Sequence, residues 1–210
     1  MKRRAAGFTL VEVMLATVLL AGGLALAFAS VRGAMAVSQR GEQIAAESER
    51  MRAVQALLRR QLDGALRSPI EAPDPTREPV FFQGDQEGMQ FVADLPGYLG
   101  RGGPYLHTLQ VDGRPGQRRL LLDLVLVQEG ERLPETPPRP PEVLADGLKE
   151  VTLRYRGIDP ANGQMSDWLP RWDDTRRLPL LVQVQVVPAR GTPWPALVVA
   201  PHAGGMGGAR

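Results

Sequence analysis

A single acidic residue, Glu12, stands at the mouth of a stretch long enough to cross a bilayer. Residues 13–31 run for 19 positions without a charge, and Lys2, Arg3 and Arg4 precede them. An uninterrupted apolar run of this length reads as a membrane-spanning helix. A carboxylate within hydrocarbon costs at least ~2.5 kcal/mol on insertion scales, so an intramembrane acid marks a function and demands a partner. Helical spacing offers Glu12 no cation at three or four residues either way, where Phe8, Thr9, Leu15 and Ala16 stand. Its partner must come from outside the helix, or be a terminal amine created by cleavage.

The run Gly7-Phe8-Thr9-Leu10-Val11-Glu12 behind three basic residues resembles the class III leader of type IV prepilins and type II secretion pseudopilins. The resemblance implies that a dedicated prepilin peptidase cuts after Gly7 and that the new terminus, Phe8, is N-methylated. It further implies that Glu12 pairs with the terminal amine of a neighbouring subunit during assembly. Two other readings stay open. An ordinary secretory signal peptide would use Ala27-Phe28-Ala29 as its small-x-small cleavage site, and a plain signal anchor would not be cut. Neither needs Glu12.

Charge follows the same division. The 210-residue chain has a formal net charge of +2, but without Lys2, Arg3 and Arg4 it holds 22 basic and 23 acidic side chains, a net of −1. The basic character belongs largely to the leader, and no Lys/Arg-rich face argues for nucleic acid. Those leader charges favour a cytoplasmic N-terminus with the rest exported. The absence of cysteine excludes thiolate chemistry. Residues 68–210 number 143, enough to bury a core without disulfide staples.

Residues 8–31 as a helix would be about 36 Å long, enough to span with some tilt. Gly22 and Gly23 interrupt the run, either as small residues for helix contact or as a soft point. Beyond it, Ile44, Met51, Val54, Leu58, Leu62 and Ala65 form a helical stripe. One helix is therefore expected from Phe8 to Arg67, ended by Pro69, with the stripe resting on the remainder of the chain. From Pro69 the period changes to two. Strands are expected at 80–82, 89–93, 105–111, 119–128, 148–156, 179–187 and 196–200. Asp112-Gly113-Arg114-Pro115-Gly116 signals a hairpin. Residues 130–141, with five prolines, are expected to be a loop, 157–177 a second one, and the glycine-rich tail from His202 frayed. The expected class is α+β: one long N-terminal helix, membrane-spanning in its first half, packed on an antiparallel β-sheet domain. The expected division is a leader 1–7, a spanning half 8–31, a periplasmic continuation 32–67 and a β-rich domain 68–210.

Met89-Gln90-Phe91-Val92-Ala93-Asp94-Leu95-Pro96-Gly97, Leu144-Ala145-Asp146-Gly147-Leu148, and Val151-Thr152-Leu153-Arg154-Tyr155 followed by Trp168 are similar to J-type minor pseudopilins of type II secretion. That resemblance implies a single-pass protein of the bacterial inner membrane with a periplasmic domain. It implies a place in the tip complex that primes or caps the pseudopilus for export of folded proteins. Implied partners are the I- and K-type minor pseudopilins, the H-type and major pseudopilins, and the prepilin peptidase/methyltransferase. A minor type IV pilin or competence pseudopilin, or a secreted periplasmic binding domain, are the alternatives. No enzyme is expected, and no cofactor or metal. His107 and His202 are the only imidazoles, and no H-E-x-x-H or G-x-S-x-G occurs. Asp159, Asn162, Gln164 and Asp167 offer oxygens but not calcium-loop spacing, so a turn on Asn162-Gly163 is expected.

Overall fold

No proline occurs before Pro69, so nothing interrupts one helix, α1, Leu10–Asp63. Thr9 is its N-cap. The hydroxyl and carbonyl oxygens of Thr9 both accept from the Glu12 N–H, at 3.3 and 3.1 Å, and satisfy an amide that a helix end would leave unpaired. The computed structural model describes residues 9–71, 76–96, 102–128, 131–133, 137 and 139–202. Gly7, Phe8 and the tail from residue 203 therefore lie outside the described residues.

The chain divides into two units, Met1–Arg50 and Met51–Arg210. In the first, every described residue except Ser48 is exposed. Ile44, which opens the expected stripe, is 59% exposed, because its own unit holds no second described element to cover it. In the second unit Val54, Leu58, Gln61 and Leu62 are buried, so the spacing is right and the covered stripe starts later.

The helix also stops earlier than expected. The Gly64 N–H still reaches Arg60 O at 3.1 Å, but β1 (Ala65–Leu66) pairs with Ala93 and Val92 of β3 (Gly88–Leu95). A further helical turn would leave those backbone groups of β3 without partners. The other strands are β2 (Phe82–Gly84), β4 (Gly103–Asp112), β5 (Arg118–Gln128), β6 (Glu131–Leu133), β7 (Glu142–Arg156), β8 (Leu181–Pro188) and β9 (Leu197–Val199). All pairings among the described residues are antiparallel, in the order β1-β3-β4-β5-β7-β8-β9, with β2 on β3 and β6 on β5.

Alternation assigns the faces. Met89, Phe91, Leu109, Leu120, Leu122, Val151, Leu153, Tyr155, Val182 and Val184 share one buried cluster with Val54, Leu58 and Leu62. On the opposite face a smaller cluster forms from Val92, Leu106 and Val127 under Ile70.

Most strand bounds shift by one or two residues, β8 opening at Leu181 instead of Pro179 among them, and three changes have a clear local cause. Glu131–Leu133, expected within the proline loop, pairs with Leu126, Val127 and Gln128. Its three residues precede the first proline, Pro134, and keep every N–H a ladder needs. Val80 lies outside β2, and its carbonyl accepts from Ile70 N at 2.8 Å. The β7 strand starts at Glu142 instead of Leu148, crossing an irregular register at Gly147, whose φ of 60° suits glycine.

Candidate functional site

Glu12 occupies the third position of α1, one turn from the cap. With Val13, Ala16, Thr17 and Leu20 it lines a shallow groove of about 320 Å³ along one helix face. The Thr17 hydroxyl donates to Met14 O at 2.9 Å, so that polar group is satisfied within the helix. The Glu12 carboxylate has no hydrogen-bond or ion-pair partner among the described residues. A negative charge in the first turn gains from the helix dipole, by at most about 2 kcal/mol. Burial at the bilayer centre would cost ~2.5 kcal/mol or more, so the dipole offsets part of such a cost. Gly7 and Phe8 lie outside the described residues. Thr9 was not singled out by sequence reasoning, yet it sets the start of the helix three residues before Glu12. The Thr-x-x-Glu spacing of a capping box was its legible signal.

The second unit places the remaining candidates in structural roles. His107, on β4, is fully buried. Its Nδ1–H donates to Tyr105 O at 2.9 Å, and its ring stacks on Phe91 at 5.1 Å between centroids. Loss of hydration pushes its pKa down to about 4, against a smaller upward pull from the Tyr105 carbonyl, so it is a neutral core residue near pH 7. His202 is elsewhere, with Nδ1 2.7 Å from Asp63 Oδ1. The Asp159 carboxylate is occupied inside its own turn, accepting from Ala161 N at 2.9 Å and Asn162 Nδ2 at 3.1 Å. Gly163, at φ 69°, closes that turn onto Asp159 O. Trp172 is buried and donates to Arg177 O at 2.8 Å, while Trp168 lies under Arg156 at 5.3 Å. Among the described residues no three His, Asp or Glu side chains gather as a metal site.

Comparison with known proteins meets this geometry at both ends of the chain. The prokaryotic N-terminal methylation motif matches residues 2–28. Type II secretion system (T2SS), protein J matches residues 29–199. The type II secretion system protein J of Xanthomonas campestris pv. campestris is 51% identical over 208 residues, which cover 99% of this chain and 98% of that protein. The chain belongs to the type II secretion system protein J family.

As a protein J, it is a minor pseudopilin of the type II secretion system, a structural and membrane-anchored component. Its anchor is α1, which is long and apolar enough at its N-terminal end to cross a membrane. The crystal structure of the GspK-GspI-GspJ complex from the type 2 secretion system of enterotoxigenic Escherichia coli is similar in one chain. It has a TM-score of 0.48 and 14% identity, covering 72% of this chain and 95% of that one. For a protein J, an acid at the head of the apolar run of α1, with no partner among the described residues, is the feature that asks for a functional account.

Proposed function

We propose that this chain is a non-enzymatic subunit of the pseudopilus tip, assembled through Glu12. In this reading the prepilin peptidase/methyltransferase removes residues 1–7 after Gly7 and methylates Phe8. Residues 8–31 cross the inner membrane, and the chain from residue 32 onward lies in the periplasm. The Phe8 amine of one subunit and the Glu12 carboxylate of the next form an ion pair. The I- and K-type minor pseudopilins are the direct partners, and the tip primes or caps the filament that exports folded proteins. The observation that carries the reading is the Glu12 carboxylate, left without a partner on a helix whose flanking residues are all exposed. Membership in the protein J family and the match to the methylation motif support it.

Two measurements test it. Mass spectrometry of the mature N-terminus should find N-methylated Phe8, whereas a terminus at Ser30 would falsify the leader assignment in favour of an ordinary signal peptide. Glu12→Ala should leave membrane insertion intact while abolishing recovery of the tip complex and reducing secretion by tenfold or more, the equivalent of about 1.4 kcal/mol of lost pairing. Unchanged secretion in that variant removes the pairing role.

A further inference from the structure

The last strand of the sheet, β9, leaves an edge; Arg59 of α1 bonds it directly, and Gln55 and Asp63 hold Pro195 and His202 on either side of it. Gln55, Arg59 and Asp63 recur every four residues, so they form one stripe of the helix, flanking the buried Val54, Leu58 and Leu62. Gln55 Nε2 donates to Pro195 O at 2.7 Å, and Arg59 Nη1 donates to Val198 O at 3.3 Å. Asp63 O accepts from His202 N at 3.2 Å, beside the contact of its carboxylate with His202 Nδ1. Since the Val198 carbonyl faces Arg59, its N–H, on the same side of an antiparallel strand, also points away from β8.

What the stripe covers is built for strand addition. Ala196-Leu197-Val198-Val199-Ala200 is uncharged and free of proline and carries two β-branched residues, Val198 and Val199, between Pro195 and Pro201. Only three residue pairs tie β9 to β8. Two such edges fit each other about a two-fold axis, apolar segment against apolar segment, with Val198 opposite Val198. We propose that Gln55, Arg59 and Asp63 act as an edge guard, holding β9 closed to strand addition by a second copy of this chain. The guard bonds are made by half-buried or exposed side chains, so removing them opens the edge while the core stays in place.

The test uses the full chain in detergent micelles, followed by sedimentation velocity across a concentration series. The double variant Gln55→Ala/Arg59→Ala should form a dimer that the unchanged chain does not, with unaltered near-ultraviolet circular dichroism. Because α1 can associate through its own apolar half in detergent, Val198→Pro is added to both chains. It removes the outward N–H without touching the β8 ladder, and should return the double variant to a monomer while leaving the unchanged chain as it was. Arg59→Lys, which keeps a donor, should stay monomeric. If the double variant proves unfolded, Arg59→Ala alone carries the same expectation. A folded variant that stays monomeric, or a dimer that persists with Val198→Pro, overturns the guard.

Discussion

Gly157 and Gly84 are held to glycine by aromatic rings and not by their backbone angles. A Cβ at Gly157 would run into the Trp172 ring, and one at Gly84 into the Tyr155 phenol. Both rings are fixed, Trp172 by its bond to Arg177 O and Tyr155 by donating to Asp85 O at 2.8 Å, with Gly88 O at 3.2 Å. Gly157→Ala is therefore expected to destabilise the fold by about 1–3 kcal/mol in urea titration, the usual range for overpacking. A loss under ~0.5 kcal/mol would show that Trp172 can yield. His107 gives the chain a pH dependence of definite sign. Its folded pKa of about 4 lies below the ordinary 6.5, so between those values the unfolded chain binds a proton that the folded chain does not. Its contribution is complete above pH 6.5 and is lost as pH falls toward 4, about 3 kcal/mol in all. The stability difference between pH 7 and pH 5 should shrink by about 2 kcal/mol in His107→Gln; an equal difference in both chains would assign the acid sensitivity to other groups.

At the scale of elements, periodicity told which face of a helix is apolar but not where that face is covered. Ile44 and Leu62 belong to one stripe by spacing, yet one is 59% exposed and the other fully buried. Leu62→Ala is expected to cost about 2–5 kcal/mol as a core cavity. Ile44→Ala should leave the urea midpoint of the second unit unchanged, with any effect confined to assembly. Equal losses from the two substitutions would mean that Ile44 is covered after all. The strands were largely legible because alternation and the Asp112–Gly116 turn act locally. The β6 strand was not, since its three residues become a strand only by lying against β5.

For the molecule as a whole, Lys2, Arg3 and Arg4 are predicted to set orientation across the membrane. Replacing Lys2, Arg3 and Arg4 by Glu should reduce export of the C-terminal domain, read by a periplasm-dependent reporter fused after Arg210. Undiminished export would transfer control of topology to some later segment. What sequence alone determined about this protein are the consequences of neighbouring residues: the apolar span with Glu12 at its head, an unbroken helix before Pro69, the α+β class and the absence of thiolate chemistry. Those follow from backbone sterics, side-chain period and solvation, which act over a few residues. The tertiary structure alone decided that α1 stops at Asp63, that His107 is a core residue, and that Gln55 and Arg59 reach the Pro195 and Val198 carbonyls. Gln55 and Pro195 are 140 residues apart in sequence. No local pattern encodes such a pair, because it exists only once the sheet has brought the end of the chain back to the helix.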